Sequence, residues 1–115
     1  MAIEQVPEKV FGRINNSLRS GDFSLVLDLF VPTAVFENTM RGSIKLNGPE
    51  LITDWFNGLG RGCEFVISKP AVAENFVAVN FDLYRSSSDV VRGMATIEVG
   101  LRDKVKAIFI ENRVN

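Results

Sequence analysis

The sequence predicts an α+β domain in which helices cover one face of an antiparallel β-sheet. Up to Gly62, apolar side chains recur at every third or fourth position, which is the spacing of amphipathic helices. Beyond Gly62 they alternate with polar residues, which is the spacing of β-strands. A group of helices followed by a run of strands is typical of the α+β class, because the helices then share one face of the sheet.

Two helices are predicted before the first strand. The first covers residues 7–19, where Pro7 suits the opening turn and residues 20–21 end the helical spacing. The second is short. Asp22 is a suitable cap for it, and Pro32 disfavours helical backbone at the residue before it. We therefore expect both helices to pack on the sheet through their apolar faces.

A third helix is predicted between an extended region and the later strands. Residues 33–39 and 43–46 are expected to be extended. Asn47 and Glu50 have the spacing of a capping box, and the helical spacing continues to about Leu59. Six apolar residues of the helices are expected to be buried against the sheet: Phe11, Ile14, Leu18, Leu51, Trp55 and Phe56.

Four strands are predicted after Gly62, and the middle two are long enough to form an extended antiparallel hairpin. Turn-forming residues separate them at Pro70, at 86–89 and at 102–103. The predicted strands cover residues 63–68, 73–85, 90–102 and 104–112.

Composition restricts the class of protein. The length of 115 residues suits one domain over residues 1–115, and 46% hydrophobic with 23% charged residues excludes a disordered chain. The net charge of −1 provides no positive field for a phosphate backbone, so nucleic acid is not an expected partner. No segment reaches the roughly 20 apolar residues of a membrane span, so no membrane partner is expected.

The reactive side chains are few. The single cysteine, Cys63, cannot form an internal disulfide, which together with the absence of a secretory signal indicates a cytoplasmic protein. The chain has no histidine, so the commonest general base and metal ligand is missing. We therefore expect no metal site and no cofactor.

Several stretches resemble the nuclear-transport-factor-2-like (NTF2-like) superfamily, which includes ketosteroid isomerases, SnoaL-like polyketide cyclases and limonene epoxide hydrolase. The stretches are residues 21–23, 34–38, 48–52, 55–56, 78–85 and 95–102. The resemblance implies a cone-shaped α+β barrel, in which a curved antiparallel sheet wraps around the three N-terminal helices. It also implies one apolar pocket that binds a small apolar molecule.

The isomerase machinery is mostly absent at the positions that the resemblance assigns to it. Asn38 stands where the isomerase has its proton-shuttling aspartate, and an amide has no usable basicity near neutral pH. Ile14 stands in place of the oxyanion-hole tyrosine, and Glu98 in place of the remaining acid. Steroid isomerisation by the usual mechanism is therefore not expected, although Asn38 and Ile14 are still implied to line the pocket with Trp55.

The two long strands could adopt either of two registers. Simple alternation directs Ile97 towards the core and Glu98 towards water. The resemblance implies the opposite register, in which Met94 and Glu98 line the pocket beside Asn80 and Asp82. In that register Glu98 would be a protonated acid, and Asp82 and Glu98 would form a catalytic carboxylate pair.

Two classes of function and one assembly follow from the resemblance. The protein is either an isomerase-, cyclase- or hydrolase-like enzyme that uses a pocket carboxylate, or a non-catalytic binding or dimerisation domain. In the register that places Glu98 in the pocket, apolar residues of the long strands would form an exposed patch that a homodimer would cover. The patch would contain Val77, Val79, Phe81, Leu83, Ile97, Val99 and Leu101.

Overall fold

The first helix begins and ends close to where the sequence predicts. The structure, a computed structural model, describes residues 2–85 and 89–113. Helix α1 extends over Val6–Ser20, after a short 3₁₀ turn at Ile3–Gln5. It ends at Gly21, whose φ of 83° is the left-handed conformation that favours glycine. Val10 and Ile14 are fully buried on its apolar face.

The second helix is shorter than its apolar spacing indicates. Helix α2 covers Ser24–Leu27. The Asp22 carboxylate accepts a hydrogen bond of 3.0 Å from the Ser24 backbone N–H, which holds the pKa of Asp22 below its usual value. Phe30 lies before Pro32, where the sequence predicts this helix to end, but it begins the first strand because its backbone pairs with Val105.

The third helix starts without the predicted capping box. Helix α3 covers Pro49–Asn57, and Gly48 with a φ of 96° is its N-cap residue. Asn47 lies in a strand and pairs with Val35, so its side chain makes no cap hydrogen bond. The positive φ of Gly48 turns the chain from strand into helix. Ile52 and Phe56 are fully buried, whereas Leu51 is 53% exposed, so the expectation that Leu51 is buried is wrong.

Seven strands form one curved sheet. In chain order they are β1 (Phe30–Asn38), β2 (Ile44–Asn47), β3 (Glu64–Ile67), β4 (Ala71–Ala73), β5 (Phe76–Arg85), β6 (Asp89–Val99) and β7 (Val105–Asn112). The spatial order is β2-β1-β7-β6-β5-β3, with β4 also paired to β5. The pairs are antiparallel except β1 and β7, which run parallel. The α+β cone is confirmed, but its sheet is mixed and is not closed.

Two predicted strands are interrupted. The segment predicted as one strand over 73–85 is divided by a turn at Glu74, which has a φ of 56°. The strand predicted to reach residue 102 ends at Val99, because a 3₁₀ turn with positive φ at Arg102 follows it. Of the turn predicted at 86–89, only Asp89 lies within the described residues.

The long strands adopt the register that simple alternation predicts. Four residues of β5 are buried on the face towards α1: Val77, Val79, Phe81 and Leu83. Ala95, Ile97 and Val99 of β6 are buried in the same way. A shift of one residue would expose this whole apolar set, so the register implied by the resemblance is wrong. The apolar patch expected on the outside of the sheet is therefore in the core, and Leu101 lies beyond the strand.

No helix in the part of the chain that the structure describes is long and apolar enough to cross a membrane.

Gly93 of β6 provides the space for the ring of Phe81. A Cβ atom on Gly93 would lie 2.6 Å from Phe81 Cζ and 3.0 Å from the Glu111 carbonyl oxygen. We expect Gly93→Ala to destabilise the protein by about 1–3 kcal/mol in urea unfolding, because the ring or the backbone must move. Gly12→Ala is the control, since no atom lies within 4 Å of its Cβ position in α1. A Gly93→Ala variant as stable as Gly12→Ala would contradict this packing.

Candidate functional site

An apolar pocket opens at one end of the cone. It lies between the end of β1, the loop that follows it, helix α3, and the ends of β5 and β6 that form their hairpin. The cavity volume is about 220 Å³. It is lined by Asn38, Met40, Arg41, Ile44, Trp55, Leu59, Phe65, Phe81, Leu83, Arg85, Val91 and Ile110.

Aromatic rings form the rigid part of the wall. Phe65 and Phe81 contact each other edge to face, with ring centroids 5.5 Å apart. Trp55 packs against Phe36 at 4.7 Å and against Phe56 at 5.1 Å. Because each ring is held by neighbours in the core, the pocket is formed before any ligand enters.

Asn15 of α1 fixes the position of Phe65. Its side-chain amide donates to the Phe65 carbonyl oxygen and accepts from the Phe65 N–H, both at 2.8 Å. β3 is the last strand of the sheet on that side, so this backbone edge has no further strand to pair with. Asn15 replaces that partner and holds the strand that carries one pocket wall.

The Asn38 amide is the polar group at the end of β1. Asn38 pairs with Ile110 and Ile44 in the sheet, and it shares the inward register of Phe36. Its Oδ1 accepts a hydrogen bond of 2.9 Å from the Met40 backbone N–H. Since Met40 N–H needs an acceptor, this bond sets the amide orientation and leaves Nδ2 as a donor.

Two arginines complete the lining. Arg85 follows Leu83 on the inward register of β5, and its Nε lies 3.9 Å from Asp89 Oδ2 in an exposed pair. Arg41 belongs to the loop after β1, and its guanidinium has no ion-pair partner among residues 2–85 and 89–113. The lining contains no aspartate or glutamate of the described residues.

The structure places the predicted site residues in three different regions. Asn38 and Trp55 line the pocket, and their contact with a ligand stays a prediction. Ile14 is fully buried in the core beneath it. The other four predicted residues lie on the outer face of the sheet, away from the pocket: Asn80, Asp82, Met94 and Glu98. Their predicted place in the pocket is wrong, because the buried apolar residues between them occupy the inner face.

The two carboxylates expected to act as a pair are held separately by cations. Glu98 Oε2 lies 3.4 Å from Lys106 Nζ. Asp82 Oδ1 lies 2.9 Å from Arg113 and 3.6 Å from Arg92. Each carboxylate therefore has its own cationic neighbours on the outer face of the sheet, and the two do not form a pair in the pocket.

Sequence reasoning missed the two arginines of the pocket. Arg85 extends the inward series at every second position of β5, so the alternation register alone would have found it. Arg41 lies in a loop, where no periodicity indicates its direction. No group of three metal-ligating side chains was found in the described part of the chain.

Comparison with known proteins shows the fold. A candidate ketosteroid isomerase from Kribbella flavida has a TM-score of 0.78 at 12% identity, covering 98% of this chain and 78% of its own. An epoxide hydrolase/cyclase-like enzyme with a role in pyran ring formation in the polyether salinomycin has a TM-score of 0.76 at 11% identity, covering 95% of this chain and 88% of its own. An NTF2-like protein of unknown function from Mesorhizobium loti has a TM-score of 0.74 at 14% identity, covering 99% and 96%.

These similarities confirm the resemblance to NTF2-like proteins at the level of the fold. No protein-family model matches the sequence, and no curated protein matches it. At this level of sequence identity a shared fold does not determine the activity, which depends on the residues of the pocket.

Asn15→Ala tests how the Phe65 wall is held. Removing the amide leaves a backbone N–H and a carbonyl without partners, so we expect a loss of about 1–3 kcal/mol in unfolding free energy. The Phe65 amide proton should also exchange faster with solvent. Asn16→Ala, one position along on the exposed side of α1, is the matched control and should change stability by less than about 0.5 kcal/mol. Equal effects of the two substitutions would contradict this role of the Asn15 amide.

Proposed function

We propose that this protein binds a small, largely apolar molecule in the pocket between α3 and the open end of the sheet. The observation that carries the proposal is a preformed cavity of about 220 Å³ with aromatic and aliphatic walls, in which the described residues contribute one amide and two guanidinium side chains. Such a site buries the body of a ligand in apolar surroundings and orients it through a few polar groups. The similar structures that have isomerase- or cyclase-type names support this use of the fold.

The volume and the lining favour binding without acid/base catalysis. Pockets that enclose drug-sized ligands have volumes of roughly 300–1,000 Å³. A cavity of about 220 Å³ therefore suits a molecule of one or two rings rather than a steroid. No carboxylate of the described residues lines it, so the proton transfer expected of Glu98 and Asp82 has no group in position. A catalytic role for these two residues stays a prediction without geometric support.

Calorimetry with a naphthamide, a neutral two-ring probe, tests the pocket. The NMR signal of the indole N–H of Trp55, the only tryptophan, should shift as the probe binds. Val91→Phe places a larger side chain in the cavity, so we expect it to weaken binding by at least about tenfold, which corresponds to ~1.4 kcal/mol.

Val90→Phe is the matched control for this experiment. Val90 precedes Val91 on β6 and directs its side chain to the other face of the sheet, where it pairs with Tyr84. The same increase in side-chain size there should leave the affinity unchanged. The proposal fails if the unmodified protein does not bind the probe, or if both substitutions weaken binding equally.

We propose in addition that two copies associate through the outer face of the sheet. Ala78, Thr96 and Phe109 lie side by side across β5, β6 and β7 on that face, and each is only half-buried in one copy. Met94 and Phe76 extend the surface along β6 and β5. The proposed interface therefore differs from the one expected from the sequence, whose strand residues are buried in the core.

Sedimentation at micromolar concentration tests the association, with an expected mass of twice 12.8 kDa. Phe109→Glu places a charge in the middle of the interface and should give a monomer. Leu51→Glu makes the same kind of change at an exposed apolar residue of α3 and should remain a dimer. An unmodified protein that sediments as a monomer would reject this assembly.

A further inference from the structure

The amide and charged side chains of the described residues that line the pocket can all donate hydrogen bonds. The Asn38 Oδ1 accepts a hydrogen bond from the Met40 N–H, which leaves Nδ2 as a donor. Arg41 and Arg85 have donors only. A ligand group that satisfies this set has to be an acceptor, and two positive charges favour one that is negatively charged.

The charges of the two guanidiniums are poorly compensated within the protein. The Arg85–Asp89 pair is separated by 3.9 Å, and its side chains are 45% and 65% exposed. Such exposed pairs are weak and easily exchanged. Arg41 has no ion-pair partner among the described residues, as noted above. By contrast, Arg92 and Arg113 on the outer face are both held by Asp82. The positive charge at the pocket is thus available to a ligand.

An alternative role for these arginines is to cover apolar surface. Their aliphatic stems could extend the wall while the guanidinium groups remain in water. In that case a neutral ligand and an anionic ligand of the same shape would bind equally well. The two roles therefore differ in a measurable preference.

We propose that the natural ligand is a small organic carboxylate, with an apolar body of one or two rings in the pocket and its carboxylate held by Arg41 and Arg85. The Asn38 amide donates to the same end of the ligand. A guanidinium is suited to this function because it can donate two parallel hydrogen bonds to one carboxylate. This inference rests on the proposed binding function and specifies its ligand class.

Two probes of the same size measure the preference: a naphthoate and the corresponding naphthamide. By calorimetry at low salt, we expect the unmodified protein to bind the naphthoate at least about tenfold more tightly, as a charge-assisted contact provides. The preference should decrease at high salt, because both guanidiniums are partly exposed. Arg41→Gln and Arg85→Gln should each remove most of the preference, because they weaken naphthoate binding more than naphthamide binding, and circular dichroism checks that the variants are folded.

Arg92→Gln is the matched control. It removes the same charge from the same sheet, but on the outer face beside Asp82, so the preference should remain. Equal affinity for both probes would overturn the carboxylate assignment and leave the binding function standing. An equal loss in all three arginine variants would also overturn it, because the effect would then come from net charge. If neither probe binds, the binding function fails, and the carboxylate assignment fails with it.

Discussion

The burial of the inner face of β5 and β6 determines the rest of the structure. Val77, Val79, Phe81 and Leu83 have at most 5% of their surface exposed, and Ile97 pairs with Val77 on the same face. Full burial of one such side chain is worth about 1.5–3 kcal/mol. Exposing all five would therefore cost an amount comparable to the roughly 5–15 kcal/mol of net stability of a small domain. The free energy of burying these side chains fixes the strand register. That register places Glu98 and Asp82 on the outer face of the sheet.

The pocket lies where this packing ends. Along β5 the inward series passes from Val77, which is fully buried, to Arg85, which lines the pocket and is exposed. The ring of Phe81 marks the change, because it contacts Phe11 of the core on one side and lines the cavity on the other. A long charged residue is tolerated at the last inward position because its head reaches water. The donors are therefore at the mouth and the apolar walls are inside.

The elements were predictable from the sequence where local spacing and burial agree. Helix α1 and the alternation of β5 and β6 follow from their apolar periodicity, since one face of each is fully buried. Short elements were less predictable. Phe30 has helical spacing with Val26 and Leu27, but its backbone pairs with Val105, which lies far away in the sequence. Likewise, the capping-box spacing at Asn47 was overridden by the sheet pairing of Asn47 and the positive φ of Gly48.

The pocket was less predictable because its residues come from loops and strand ends. Asn38 was expected there because the resemblance implies that the end of the first strand lines the pocket, and the structure places Asn38 at the end of β1 and in the lining. The resemblance to ketosteroid isomerases placed Glu98 in the pocket by matching a short stretch, and an error of one residue in such a match reverses the face of every side chain. Transferring the chemistry of one fold member to another therefore requires the burial of the neighbouring residues as a check. In this chain that check places Asp82 and Glu98 outside the pocket, where the amide and charged side chains among the described lining residues are Asn38 and two arginines, all of which can donate hydrogen bonds.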